Sequence, residues 1–209
     1  MIEEQDLTIT SLKKTSENEA RGYDALFKLS RSLEPKAFKA ILAHLNDPSQ
    51  KLRALAAGSL GKFNDHRAIS PLINGLEDPV LAVRKEAAFS LGQMRDQRSV
   101  QPLLQACKMS ENKEDLSTFI LALGNQKSAK AVPLLTQLLE ETPQNTEYIA
   151  EALGQIGHIE ALEYLEARLT HSNHNVRYHV CKAIKKIISA ENLRYHGTEQ
   201  NMEKHTKQC

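Results

Sequence analysis

The chain has 209 residues, 41% of them apolar and 25% charged, with a net charge of +1, a make-up that suits one soluble globular or repeat unit. No apolar run approaches the roughly 18 residues that a membrane helix requires, and so small a net charge gives no global field to steer the protein to nucleic acid. Three cysteines, Cys107, Cys181 and Cys209, are odd in number and widely spaced, which fits neither a disulfide framework nor a zinc site; Cys107 and Cys181 are expected to be small buried apolar residues.

In chain order, residues 1–19 begin MIEEQDLTITSLKK, an acidic start without a signal-peptide core, so a cytoplasmic protein is expected. Scattered Ile2, Leu7, Ile9 and Leu12 give this stretch the look of an N-terminal capping segment. From residue 20 a two-residue marker recurs: Leu29-Ser30, Leu60-Gly61, Leu91-Gly92, Leu123-Gly124, Leu153-Gly154 and Ile184-Lys185, at spacings of 31, 31, 32, 30 and 31. Its flanks recur with it. Arg53, Arg84 and Arg177 stand seven residues ahead of the Leu or Ile, each after an apolar residue (Leu52, Val83, Val176). Small or apolar pairs precede the marker (Ala56-Ala57, Ala87-Ala88, Ile149-Ala150, Val180-Cys181), and ISPLI, VQPLL, AVPLL and ALEYL follow it. Asp-Pro punctuates at 47–48 and 78–79.

A fixed period of this kind is the signature of stacked supersecondary units. Each unit reads as two short helices. The first, such as PLINGLED, has apolar residues at helical spacing; its Pro lies near the start, where a missing N–H is tolerated, and Asp-Pro ends it. The second, VRKEAAFSLGQM, is expected to bury Val83, Ala87, Ala88 and Leu91. Gly92 suits a C-terminal cap or tight packing, and Asp65, Asp96 and Ser128 can cap the following helix. Such a pair is too short to stand alone in water, so stabilisation must come from faces shared with neighbouring units. KAIKKIISAENL reads as a C-terminal capping helix, and 194–209 as a polar tail without periodicity.

The order Asp, Val-Arg, Ala-Ala, Leu-Gly, Ala-Val-Pro-Leu-Leu resembles the short HEAT-like repeats of the phycobilisome-lyase type, most closely over 47–104 and less so over 131–187 and 20–45. The resemblance implies an all-α fold, an α-solenoid of about five to six two-helix repeats across 20–193. It also implies an Asp–Arg ladder between successive turns, through Asp47, Arg53, Asp78 and Arg84 and returning at Arg177; Leu116 and Thr146 interrupt it. By the same resemblance the second helices line a concave face, where Leu55, Glu86, Phe89, Leu121, Tyr148, Glu151 and His179 are expected to bind a partner. The chain is then a protein-binding scaffold or adaptor. Alternatively it is a bilin lyase subunit or a phycobilisome assembly or degradation factor, with a second HEAT-like subunit or a phycobiliprotein as partner and a transiently bound bilin.

Charge is segregated along the chain. Residues 35–107 carry ten basic and six acidic side chains, 108–170 five and ten, and 171–209 seven and three, a bipolar pattern that points to protein partners rather than nucleic acid. The histidine cluster HSNHNVRYHVC does not gather three ligands on one helical face, so no metal is expected. No Gly-rich phosphate loop or nucleophile elbow occurs, and no acid–base pair stands out, so no catalytic residue is assigned and no resident cofactor is expected.

Overall fold

The computed structural model describes residues 19–194 except positions 33 and 111. The expected capping segment up to residue 18 and the tail from 195 therefore lie outside the described residues. Among these residues the secondary structure is helical, without strands, and no helix is long and apolar enough to cross a membrane. Two compact units divide the chain, Met1–Pro102 and Leu103–Cys209.

The first unit holds α1 (Glu19–Ser32), α2 (Pro35–Ala43), α3 (Gln50–Phe63), α4 (Ile69–Gly75) and α5 (Leu81–Met94). The unit boundary falls inside α6 (Val100–Met109). The second unit continues with α7 (Lys113–Gln126), α8 (Val132–Glu141), α9 (Thr146–Ile156), α10 (Leu162–Glu166) and α11 (His174–Arg194). Odd-numbered helices carry the marker. In the first unit α1 packs on α3 and α3 on α5; in the second, α7 packs on α9 and α9 on α11. The even helices α2, α4, α8 and α10 each lie against the odd helix that follows. Each unit is thus repeat pairs stacked in solenoid fashion.

The expected helix phase matches the burial. Leu60, Leu91, Leu123, Leu153 and Ile184 are fully buried, as are Ala56-Ala57, Ala87-Ala88 and Ile149-Ala150. Each Leu or Ile side chain so removed from water contributes about 1.5–3 kcal/mol before chain entropy is counted. Between the odd helices the seam is closer than side-chain packing allows. A Cβ on Gly61 would lie 2.9 Å from the Cα of Ser90; on Gly124, 2.7 Å from that of Ala152; on Gly154, 2.8 Å from that of Ala183. The glycine of the marker is therefore needed at these three seams because the next helix touches its backbone. Ser90 reinforces its seam by donating from Oγ to the Ala57 carbonyl at 2.7 Å.

Helix termination falls elsewhere. The residue three positions after the marker glycine adopts the left-handed conformation: Asn64 (φ 50°), Arg95 (51°), Lys127 (51°) and Gly157 (69°). For α5 this settles the two readings of Gly92 in part: the cap is Arg95, not Gly92. Asp65 and Asp96 accept from the backbone N–H of Arg67 and Arg98, both at 2.9 Å, and so cap the short 3-10 turns that lead into α4 and α6. Ser128 makes no such bond; Asn112, with its side chain on the Glu114 N–H at 2.8 Å, caps α7. Cys107 is buried, and desolvation pushes its thiol up to about 12. Cys181 is only half-buried, contrary to expectation; its equivalent in α3, Ala57, is covered by α5, and no described helix covers this face of α11.

Candidate functional site

In the first unit the faces of α1, α3 and α5 meet in a groove of about 960 Å³. Ala54, Leu55, Gly58 and Lys62 line it from α3, Leu81, Lys85, Glu86 and Phe89 from α5, and Tyr23 from α1. The expected docking residues Leu55, Glu86 and Phe89 are brought together there. Phe89 is 50% exposed, so its ring stands open on the groove. At Gly58 the Glu86 carboxylate lies across the space a Cβ would occupy. Partial burial raises the Glu86 carboxyl above its ordinary value, against the pull of Lys85 and Lys62.

Sequence reasoning missed Tyr23, Lys62, Leu81 and Lys85. For the last three the signal was available: Leu81, Lys85 and Phe89 form one i, i+4, i+8 row, and Ala54, Gly58 and Lys62 another. Extending Phe89 back along its helix by one turn reaches Lys85 and by two reaches Leu81, and Lys62 lies two turns beyond Leu55; Tyr23, on a helix where no docking residue was expected, had no such signal.

In the second unit the corresponding positions are Leu121 and Thr118 on α7, Tyr148 and Glu151 on α9, and His179 and Lys182 on α11. Tyr148 is 40% exposed, while Leu121, Glu151 and His179 are half-buried. Glu151 accepts a long bond from the Gln155 amide at 3.4 Å, and the His179 ring stands edge-on to Tyr178. None of the seven expected docking residues belongs to the fully buried core.

Each ladder arginine clamps its own turn. Arg53 Nη1 donates to the carbonyls of Asp47 and Pro48 at 2.9 and 3.2 Å. Arg84 Nη1 does the same to Asp78 and Pro79 at 2.8 and 3.0 Å, and Arg177 Nη1 to His171 and Ser172 at 2.7 and 2.8 Å. Between repeats, Arg53 Nε and Nη2 grip the Asp78 carboxylate at 2.8 and 3.1 Å. Burial raises the Asp78 carboxyl, but the Arg53 guanidinium and the Val80 N–H outweigh it and hold the group below its usual value. Asp47 instead serves its own turn, accepting from Ser49 N–H at 2.8 Å and facing His44 Nδ1 at 2.9 Å. A second tie between repeats was not anticipated: His66 Nδ1 lies 2.8 Å from Asp96 Oδ2. The Arg67 side chain folds onto its own cap Asp65 and holds that carboxyl down to about 2.

The ladder positions of the middle repeats are altered more deeply than the missing arginines suggested. Where Leu52, Val83 and Val176 fill the core, α7 places Asp115 and the turn before α9 places Asn145, both buried. Neither polar atom of the Asn145 amide meets a hydrogen-bond partner among the described residues. Leu116 and Thr146, at the arginine positions, are buried beside them in sequence. Among the described residues no three His, Cys, Asp or Glu side chains converge as a metal would require.

Comparison with known proteins agrees with this architecture. The HEAT repeat family matches residues 38–118 and 71–149, together more than half of the chain, and the PBS lyase HEAT-like repeat matches 147–171. No curated protein matches the sequence. Among solved structures, the complex of CpcE and CpcF of phycocyanin lyase from Nostoc sp. PCC7120 is similar with a TM-score of 0.64 at 21% identity, over 97% of this chain and 93% of that one. A designed armadillo repeat protein in complex with the peptide (KR)4 gives 0.61 at 19%, over 87% and 98%. The archaeal HEAT-like repeats protein from Thermococcus onnurineus NA1 gives 0.58 at 14%, over 95% and 94%. At these identities the likeness is one of fold. With the recurrent seam, the helix pairs and the family match in agreement, the chain belongs to the HEAT repeat family.

Proposed function

We propose that the chain is a protein-binding scaffold or adaptor, and that the groove of α1, α3 and α5 takes a segment of its partner. The observation that carries this reading is the exposure of Phe89 beside Leu55 and Leu81 in a groove edged by Lys62, Lys85 and Glu86. An apolar centre with a charged rim is the usual anatomy of a protein interface. Leu121, Tyr148, Glu151 and His179 extend the same role to the second unit. The similar designed armadillo protein is in complex with a peptide, which supports a peptide-sized occupant for this class of fold. The test is capture of a partner by the intact chain, identified by mass spectrometry, followed by titration. Phe89→Ala with Leu55→Ala weakens binding by about tenfold or more at an unchanged melting temperature. Equal affinity in parent and variant would remove the groove from the interface.

A second reading is favoured by the likeness to the CpcE–CpcF complex over nearly the full length of both chains and by the PBS lyase HEAT-like match at 147–171. In it the chain is a lyase-type subunit or a phycobilisome-handling factor, with a bilin as transient substrate. Mixing the protein with a bilin and a phycobiliprotein, with and without a second HEAT-like subunit, then produces a shift in visible absorbance; no shift in any combination rejects it.

A further inference from the structure

Because the odd helices share one register, their equivalent faces can be compared position by position. The face that α3 turns toward α5 consists of Arg53, Ala54, Ala57, Gly58, Gly61 and Lys62, and α5 descends on it to backbone contact at Gly61. The same positions on α11 are Arg177, Tyr178, Cys181, Lys182, Lys185 and Lys186. These six line an open groove of about 980 Å³. Lys185 stands where Gly61, Gly124 and Gly154 admit the next helix, so a further repeat of the same kind cannot stack here. Tyr178 is 56% exposed.

The rung on this face is half made. Arg177 clamps the His171 and Ser172 carbonyls through Nη1, as Arg53 clamps those of Asp47 and Pro48. Its Nε and Nη2 edge, the one Arg53 gives to Asp78, meets no carboxylate among the described residues. Lys182, Lys185 and Lys186 likewise have no ion pair among them. A guanidinium held by backbone carbonyls loses little freedom on binding a carboxylate, and its fork matches two oxygens at once.

We propose that this face of α11 docks an acidic segment of a partner protein. One carboxylate takes on Arg177 the place that Asp78 has on Arg53, neighbouring carboxylates meet Lys182 and Lys186, and Tyr178 supplies the apolar contact. Protein is favoured over nucleic acid because the fixed Arg edge repeats a carboxylate-binding geometry already present in the chain. The groove also offers one aromatic ring rather than the series on which successive bases stack.

The test uses the full chain and a fluorescently labelled Asp- and Glu-rich peptide, followed by anisotropy. An Asn- and Gln-rich peptide of equal length and a mixed-sequence single-stranded RNA serve as competitors. Saturable binding is expected that weakens with salt. Lys182→Glu with Lys186→Glu, both at exposed positions, weakens it by about tenfold or more without change in melting temperature. Arg177→Lys, which keeps the charge but loses the fork, weakens it by about threefold. Absence of saturable binding, equal binding of the amide peptide, tighter binding of RNA, or indifference to these substitutions overturns the proposal. So does a self-associated form of the chain that the same substitutions dissolve, which would assign the face to a second copy.

Discussion

The two units solve the same packing problem with different polar hardware. In both, a marker glycine lets one odd helix rest on the backbone of the next: Gly61 against Ser90, Gly124 against Ala152, Gly154 against Ala183. Around that shared seam the first unit adds directed bonds, with Arg53 on Asp78, His66 on Asp96 and Ser90 on the Ala57 carbonyl. The second unit drops the arginine at two repeats and places Asp115 and Asn145 where its neighbours have Leu or Val. The apolar seam is thus the element common to both units, while the residues at the ladder positions differ between them. A buried polar group without a partner costs about 1–3 kcal/mol, so the Asn145 position is a local weakness of the second unit that the first does not share.

The largest expected effect strikes the seam itself. Ala88 is fully buried, and Ala88→Glu forces a charge into it at a cost of about 3–5 kcal/mol; Ala150→Glu, at the equivalent position of the second unit, costs the same. Urea unfolding of both variants checks the equivalence. A variant as stable as the parent in either unit would break the comparison at its root.

Next comes the ladder. Arg53 and Asp78 are 15% and 12% exposed, so Asp78→Asn loses about 1–3 kcal/mol, read by the same titration. Because the folded Asp78 carboxyl is held below its unfolded value, its contribution is present above the unfolded value near 4 and is lost as pH falls through the lower folded one. Stability of the parent therefore falls in that acid window, and Asp78→Asn flattens the fall. An acid limb of unchanged slope would show that the rung contributes nothing to the first unit.

The third test runs in the stabilising direction. Asn145→Val restores the residue type found at Val83 and Val176 and gains about 1–2 kcal/mol; a loss instead would mean that the amide is satisfied in solution. The smallest effect is at the helix ends. Arg95→Gly relieves a left-handed backbone at some cost in unfolded-state entropy, for a net gain of about 0.5 kcal/mol, whereas Gly157→Ala loses about 1 kcal/mol. Thermal melts of the pair sharpen the comparison, since the same cap is built from Arg95 in one unit and Gly157 in the other.

The seam was legible because it obeys a period: Leu-Gly and Ala-Ala can recur at 30 to 32 residues only if equivalent positions meet. The groove positions Leu55, Glu86 and Phe89 followed from the same helix phase. The function of the marker glycine was not decidable, because cap and close approach both favour Gly; only the neighbour's backbone, here Ser90 or Ala152, distinguishes them. Asp115 and Asn145 were illegible for the opposite reason. A lone polar residue at a core position looks like solvent-facing surface until its neighbours are known. The His66–Asp96 tie lay thirty residues apart with no pattern to announce it.

The repetition of the marker contact has a genetic corollary. Since Gly61, Gly124 and Gly154 each meet a small residue at the equivalent position of the following block, an in-frame duplication or excision of one whole block between these seams presents mating surfaces that already fit. The gene can therefore change length in whole-period steps, while a gain or loss of a few codons inside a block throws every later helix out of phase.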